Sequence, residues 1–135
     1  MAAQLKVPLD PVSVEELLAY PKALFSRFEA TTALTKAALH SELYDRMRTA
    51  DTEKRAAAIG AFIDTLAPDR SQEARKRASA NIRYFLIATT WHYYRFYFGF
   101  TLEDTERCAR TTIAQTLQGL GVTDPAIDRV IREDT

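Results

Sequence analysis

Nine of the fourteen aromatic residues of this 135-residue chain fall in one short run: Tyr84, Phe85, Trp91, Tyr93, Tyr94, Phe96, Tyr97, Phe98 and Phe100. The run carries helical spacing and is apolar almost all round. Such a helix is covered on two sides, because one buried stripe leaves the opposite face to water. The chain's own core supplies one cover, and the expected second cover is another subunit. His92 and Arg95 interrupt the run, which leaves it short of the ~18 uninterrupted apolar residues of a membrane span.

The rest of the chain reads as helices with short connections. Only four glycines occur, and no segment alternates with the period of two that marks a half-buried strand. Residues 1–12, with Pro8 and Pro11, form an extended lead-in, and 13–135 one helical unit. Ser13 followed by Glu16 is a capping box and starts the first helix. Pro21 is expected to kink it or to split off its first turn. Thr31 or Thr32 opens a second helix reaching about Ala50, and Asp51 or Thr52 caps a third that ends at Pro68. Ser71 caps a fourth, the longest, which is expected to run unbroken to Gly99. Thr101 with Asp104 starts the fifth, which closes at Gly119 and Gly121, and Thr123 with Pro125 opens a short sixth. The expected fold is all-α, a bundle of about five main helices. Its last two long helices pair across a two-fold axis as an intersubunit four-helix bundle.

Composition removes several functions. Eighteen basic and eighteen acidic residues cancel, so the chain as a whole has no charge with which to grip nucleic acid. The tail from Ile113 to Glu133 is faintly similar to a helix-turn-helix, but its second helix would present Asp124 and Asp128 to phosphates. The cluster Arg70, Arg75, Lys76 and Arg77 reads as a solvated face. One cysteine, Cys108, precludes an internal disulfide and fits a cytoplasmic location. Two isolated histidines without CxxC or HExxH spacing argue against a metal site. No phosphate-binding glycine loop and no nucleophile elbow occur. Cys108 falls mid-helix as a small packing residue, so no enzyme and no cofactor is expected.

The order of these parts resembles the C-terminal, effector-binding domain of TetR-family transcriptional regulators. The resemblance runs from about Pro8 to Leu120 and rests on VEELLAYPKALFSRFEATTALTKAALHSELYDRM, TEKRAAAIGAFIDTLAP and YYRFYFGFTLEDTERCARTTIAQTLQGLG. Nothing ahead of Ser13 resembles the family's helix-turn-helix domain, so the expectation is a sensor and dimerisation domain without direct nucleic-acid contact. The resemblance implies a homodimer and a small apolar or aromatic effector that modulates DNA binding by an N-terminal domain.

Two residue sets follow. An effector cavity between the second, third and fourth helices would be lined by His40, Tyr44, Phe62, Phe85, Thr89, His92, Tyr93 and Phe96. Cavities of this kind are mostly aromatic with a few placed polar groups. The competing expectation is that these residues simply fill a core, and that the domain docks a protein partner and takes no ligand. The dimer seam would use Tyr84, Ala88, Trp91 and Arg95 of the fourth helix and Cys108, Thr112 and Gly119 of the fifth. Trp and Arg are frequent interface anchors. Arg95 could pair with an acid such as Asp104 or Glu103 across the axis, but the sequence does not place the partner.

Overall fold

The structure, a computed structural model, describes residues 10–38 and 42–133, the side chains of 38 and 42–52 excepted. The described residues form α-helices joined by short turns, with no strand among them. None of these helices is long and apolar enough to cross a membrane.

Helix α1 spans Val14–Ala30 and begins where the side chain of Ser13 accepts from the Glu16 amide at 3.1 Å. It continues through Pro21, which is buried, so the first turn is not split off. Helix α2 covers Thr32–Ala38 and α3 covers Glu42–Leu66. The expected boundary at Asp51 and Thr52 is absent, because α3 continues through both. Neither residue breaks a helix; each lowers propensity by a fraction of a kcal/mol, about 0.7 at most. Gly60 brings α3 against α4, and a Cβ there would sit 3.9 Å from the Ser79 hydroxyl.

The largest departure lies in the aromatic region. The single helix expected from Ser71 to Gly99 is three pieces: α4 (Gln72–Tyr84), α5 (Ala88–His92) and a π-helical segment (Tyr93–Tyr97). No proline or glycine marks the break. Residues 85–87 instead leave the α ladder through i−3 bonds, Phe85 to Ile82 and Leu86 to Arg83, and Ile87 is extended. The Thr90 hydroxyl donates to the orphaned Tyr84 carbonyl. Ile87, Thr89 and Thr90 are β-branched and hold a helix weakly. Burial decides the outcome: the bend carries Leu86, Ala88 and Trp91 into the core.

Helix α6 (Leu102–Gly119) is capped by Thr101, whose hydroxyl accepts from the Asp104 amide at 3.1 Å. It ends in a Schellman motif, with Val122 N–H donating to Leu117 and Gly121 N–H to Gln118, both at 3.0 Å. Gly121 takes the required left-handed conformation at φ 91°. Helix α7 (Pro125–Glu133) has proline in its first position, and the Asp124 carboxylate accepts from the Ala126 amide. Its inner face, Ala126, Ile127 and Val130, is buried and α7 packs on α1 and α6. One core joins Leu17, Leu24 and Phe25 of α1, Ile59 and Ile63 of α3, Ile82 of α4, Trp91 of α5 and Ile113 and Leu117 of α6.

Candidate functional site

Two groupings of side chains stand out, one internal and one on the surface. The internal one is a clasp between α1 and the α5–π segment. Trp91 is fully buried, and its indole N–H donates to Glu29 Oε2 at 2.9 Å. Arg95 Nε donates to the same oxygen at 3.0 Å, and its Nη2 to Oε1. Arg95 Nη1 reaches on to the Phe100 carbonyl at 2.8 Å. The Arg95 hydrogen bonds hold the Glu29 carboxyl below the usual carboxylate range, against the opposing effect of burial; the Trp91 bond adds to the lowering. Glu29 lies 62 and 66 positions from its partners, and nothing local in the sequence signals this pairing.

The clasp corrects the expected seam at three positions. Ala88 and Trp91 are buried inside the chain, so they have no surface to offer a partner. Arg95 pairs with Glu29 of its own chain and is not turned toward Glu103 or Asp104. The physical cause is the break at 85–87, which rotates the stripe containing 88, 91 and 95 inward. Tyr84 and Gly119 are exposed, and Cys108 and Thr112 are partly so.

Among the described residues the expected effector-lining set is divided between several places. His40 lies outside the described residues, as does the side chain of Tyr44. Phe62 belongs to the core and Phe85 packs against it. Thr89 is exposed. His92 and Phe96 do meet, with ring centroids 5.3 Å apart, and both rings contact Trp91. Lys36 of α2 caps Phe96, its Nζ 3.7 Å from the ring centre. Tyr93 faces the other way and stacks on Tyr97 at 4.5 Å.

The surface grouping begins at that stack. Phe98 touches Tyr93, Tyr94, Tyr97 and Phe100, making one contiguous aromatic ledge. Tyr84 is 58% exposed, Tyr97 71% and Phe98 50%. Tyr94 joins the ledge to α4 and α6: burial raises its pKa, and Cys108 and Tyr84 lie near enough to add to the rise. Beyond Cys108 the α6 face continues through Thr112, Thr116 and Gly119. The hydroxyls of Thr112 and Thr116 donate to the carbonyls of Cys108 and Thr112 at 2.8 Å, so they are satisfied within the helix. At the far end lies an open groove of about 270 Å³ between α4 and α6, lined by Ala74, Arg77, Ala78, Asn81, Thr116, Gly119 and Leu120.

No family model, curated protein or solved structure matches this chain. Among the described residues no cluster of His, Cys, Asp and Glu is arranged to hold a metal ion.

Proposed function

We propose that this chain is the homodimerisation and effector-sensing domain of a TetR-like transcriptional regulator working in the cytoplasm. The observation that carries the reading is the uncovered face formed by α4, α6 and the aromatic ledge. Tyr84, Tyr93, Tyr97, Phe98 and Phe100 together expose the equivalent of about two and a half aromatic side chains, on the order of 400–650 Å². That matches or exceeds the ~300–600 Å² of the largest apolar patch on an ordinary monomer. A standard stable interface takes ~800 Å² per partner, so the rings alone would supply half of it or more. Two such faces meeting would give the intersubunit four-helix bundle. In a complete regulator, a small apolar or aromatic effector that favours one helix arrangement would shift the population of that arrangement and so alter DNA binding by an N-terminal domain.

A second reading is favoured by the packing around Trp91: a protein-interaction domain with a filled core and no effector. Trp91, Phe25 and Phe28 occupy the space between α1 and α5, with Phe28 and Trp91 centroids 5.8 Å apart. Sedimentation across a dilution series tests the homodimer of the first reading. A dimer persisting below micromolar concentration supports it, and a monomer at 100 µM refutes it. Titration of small aromatic compounds against Trp91 fluorescence separates the two. A saturable response supports sensing, and a flat response across a diverse set supports the filled core.

A further inference from the structure

Four cations gather around the start of α4, and the structure employs them unequally. Arg70 Nε donates to the Leu120 carbonyl at 2.9 Å, and Arg75 Nη1 pairs with Asp64 at 2.8 Å. Lys76 is exposed. Arg77 is exposed too, but it lines the open groove of about 270 Å³ between α4 and α6, and it makes no hydrogen bond or ion pair among the described residues. Glu73, one turn earlier and also exposed, forms no ion pair with it and does not line the groove. Asn81, one turn later on the same face of α4, lines the groove beside Arg77. No carboxylate does so. The floor is apolar, with Ala78 and Leu120 each 6% exposed. On the α6 wall the Thr116 hydroxyl donates within its own helix, so the donors offered to the groove are those of Arg77 and Asn81. Gly119 on that wall has no reason inside the chain to lack a side chain. Its φ is not left-handed, unlike those of Gly99 and Gly121, and a Cβ added there meets nothing within 4 Å. Alanine would hold the helix better; glycine keeps the groove open.

We propose that this groove binds a small organic carboxylate, its anionic head on Arg77 and Asn81 and its short apolar body over Ala78 and Leu120, in the space left by Gly119. A guanidinium matches a carboxylate through two parallel N–H···O bonds, and the Asn81 amide adds a further donor. The apolar floor suits a hydrocarbon or aryl body. The volume lies just below the ~300–1,000 Å³ of drug-sized sites, which limits the ligand to a fragment of that size. An amine of the same shape would meet Arg77 with like charge, and an amide would forgo the ion pair. The groove is complete within one chain, so the site stands apart from self-association. A second copy of the chain is its rival occupant.

Benzoate and phenylacetate, titrated at fixed ionic strength into the isotope-labelled whole chain and followed by amide NMR shifts, test the site. Both should give saturable shifts of the Asn81 side-chain amide and of the backbone at 74–81 and 116–120, with a Kd on the order of 1 mM. Acetate, benzamide and benzylamine should each bind about ten-fold more weakly or worse. Arg77→Gln should weaken benzoate about ten-fold, and Arg77→Lys, which keeps the charge and loses the fork, should fall between. Gly119→Leu should fill the groove and abolish the shifts with helix content unchanged, since nothing crowds that position. Equal affinity for benzamide, benzoate shifts that survive Arg77→Gln, or no saturable response up to about 20 mM would overturn the site. A Gly119→Leu chain that loses self-association yet binds benzoate as wild type does would overturn it as well and give the groove to a second copy. A monomeric wild-type chain that binds benzoate would support the site and refute the dimer.

Discussion

Replacing Glu29 by alanine should destabilise the domain by about 2–3 kcal/mol. Trp91 is fully buried, so its indole N–H would lose its acceptor with no water to replace it, at ~1–3 kcal/mol. The ion pair contributes less than a fully buried one. The side chains of Arg95 and Glu29 retain 23% and 28% of their exposure, and solvent screens them accordingly, toward ~1 kcal/mol. Arg95 also keeps the Phe100 carbonyl as a partner. For a chain of this length the expected fall in Tm is about 7–11 °C. Glu29→Gln keeps an acceptor for Trp91 and loses only the charge, so its cost should be about 1 kcal/mol. Guanidinium unfolding at one fixed protein concentration, followed by circular dichroism and by the single tryptophan, gives both values. The pH dependence adds a sign. The Glu29 carboxyl is held low by Arg95, so its stabilisation is complete above the unfolded carboxylate value of ~4.3 and is lost as pH falls through the folded value. Wild type and Glu29→Gln should therefore converge in acid. A Glu29→Ala loss below ~0.5 kcal/mol at pH 7, the range of an ordinary surface substitution, would show that the clasp is not holding the fold together.

Gly121→Ala should cost about 2–3 kcal/mol in chemical denaturation. The new Cβ adds left-handed strain of ~1–2 kcal/mol and meets the Arg70 guanidinium, whose Nε donates to the Leu120 carbonyl at 2.9 Å; a change below ~0.5 kcal/mol would refute this. Tyr20→Phe should be neutral or stabilising by up to about 1 kcal/mol, because the buried Tyr20 hydroxyl has no hydrogen-bond partner among the described residues. Burial, with Glu16 and Asp10 adding to it, pushes its pKa to about 12; a clear loss of stability in Tyr20→Phe would reveal a partner for the hydroxyl. Glu106 of α6 is buried, and burial raises its pKa despite Ser26, Lys22 and Arg110. Its extra stabilisation is present below the unfolded carboxylate value and is lost as pH rises through the folded value. Glu106→Gln should therefore be the more stable protein at pH 7, with the gap closing in acid; a destabilised Glu106→Gln at pH 7 would mean that the attraction of Lys22 and Arg110 outweighs burial.

Helix starts were legible in the sequence because their chemistry is local. Ser13, Ser71 and Thr101 each cap through a hydroxyl accepting the amide three residues on, at 3.1 Å. The glycine at 121 likewise marks the end of α6 through its own backbone conformation. Faces were less legible. The stripes through Ile82, Phe85, Thr89 and His92 assume one unbroken helix, and the three-residue interruption after Tyr84 moves every later residue to a different face. No breaker residue announces that interruption. It follows from tertiary burial of Leu86 and Trp91, contributions that propensity alone does not contain. Trp91 and Arg95 are therefore turned toward α1, whereas Tyr84, which precedes the break, and Thr112 and Gly119 of α6, whose bounds match the expected fifth helix, keep an accessible position.

The same interruption links the interior to the face. By turning Trp91 inward it turns Tyr93, Tyr97 and Phe98 outward, and the π-helical turn that follows carries these rings on a backbone closed by i−5 and i−6 bonds, Phe98 to Tyr93 and Phe100 to Tyr94. Arg95 sits within that turn and is fastened at one end to Glu29 of α1 and at the other to the Phe100 carbonyl. The position of the ledge is thus set by the C-terminal end of α1 through two side chains. A movement of α1 by even part of a helical turn would break or strain the Arg95 bridge, and it would also bear directly on α6, against which α1 packs. An effector acting on α1 or α2 would reach the dimer face by this route. Its influence would be limited to the difference in its affinity for the clasped and unclasped arrangements. Glu29→Gln therefore probes coupling as well as stability: the dimer dissociation constant should rise in this variant even at temperatures where its helix content equals that of wild type. An unchanged constant would mean that the ledge is held by its own ring contacts and not through the bridge from Glu29 to Arg95.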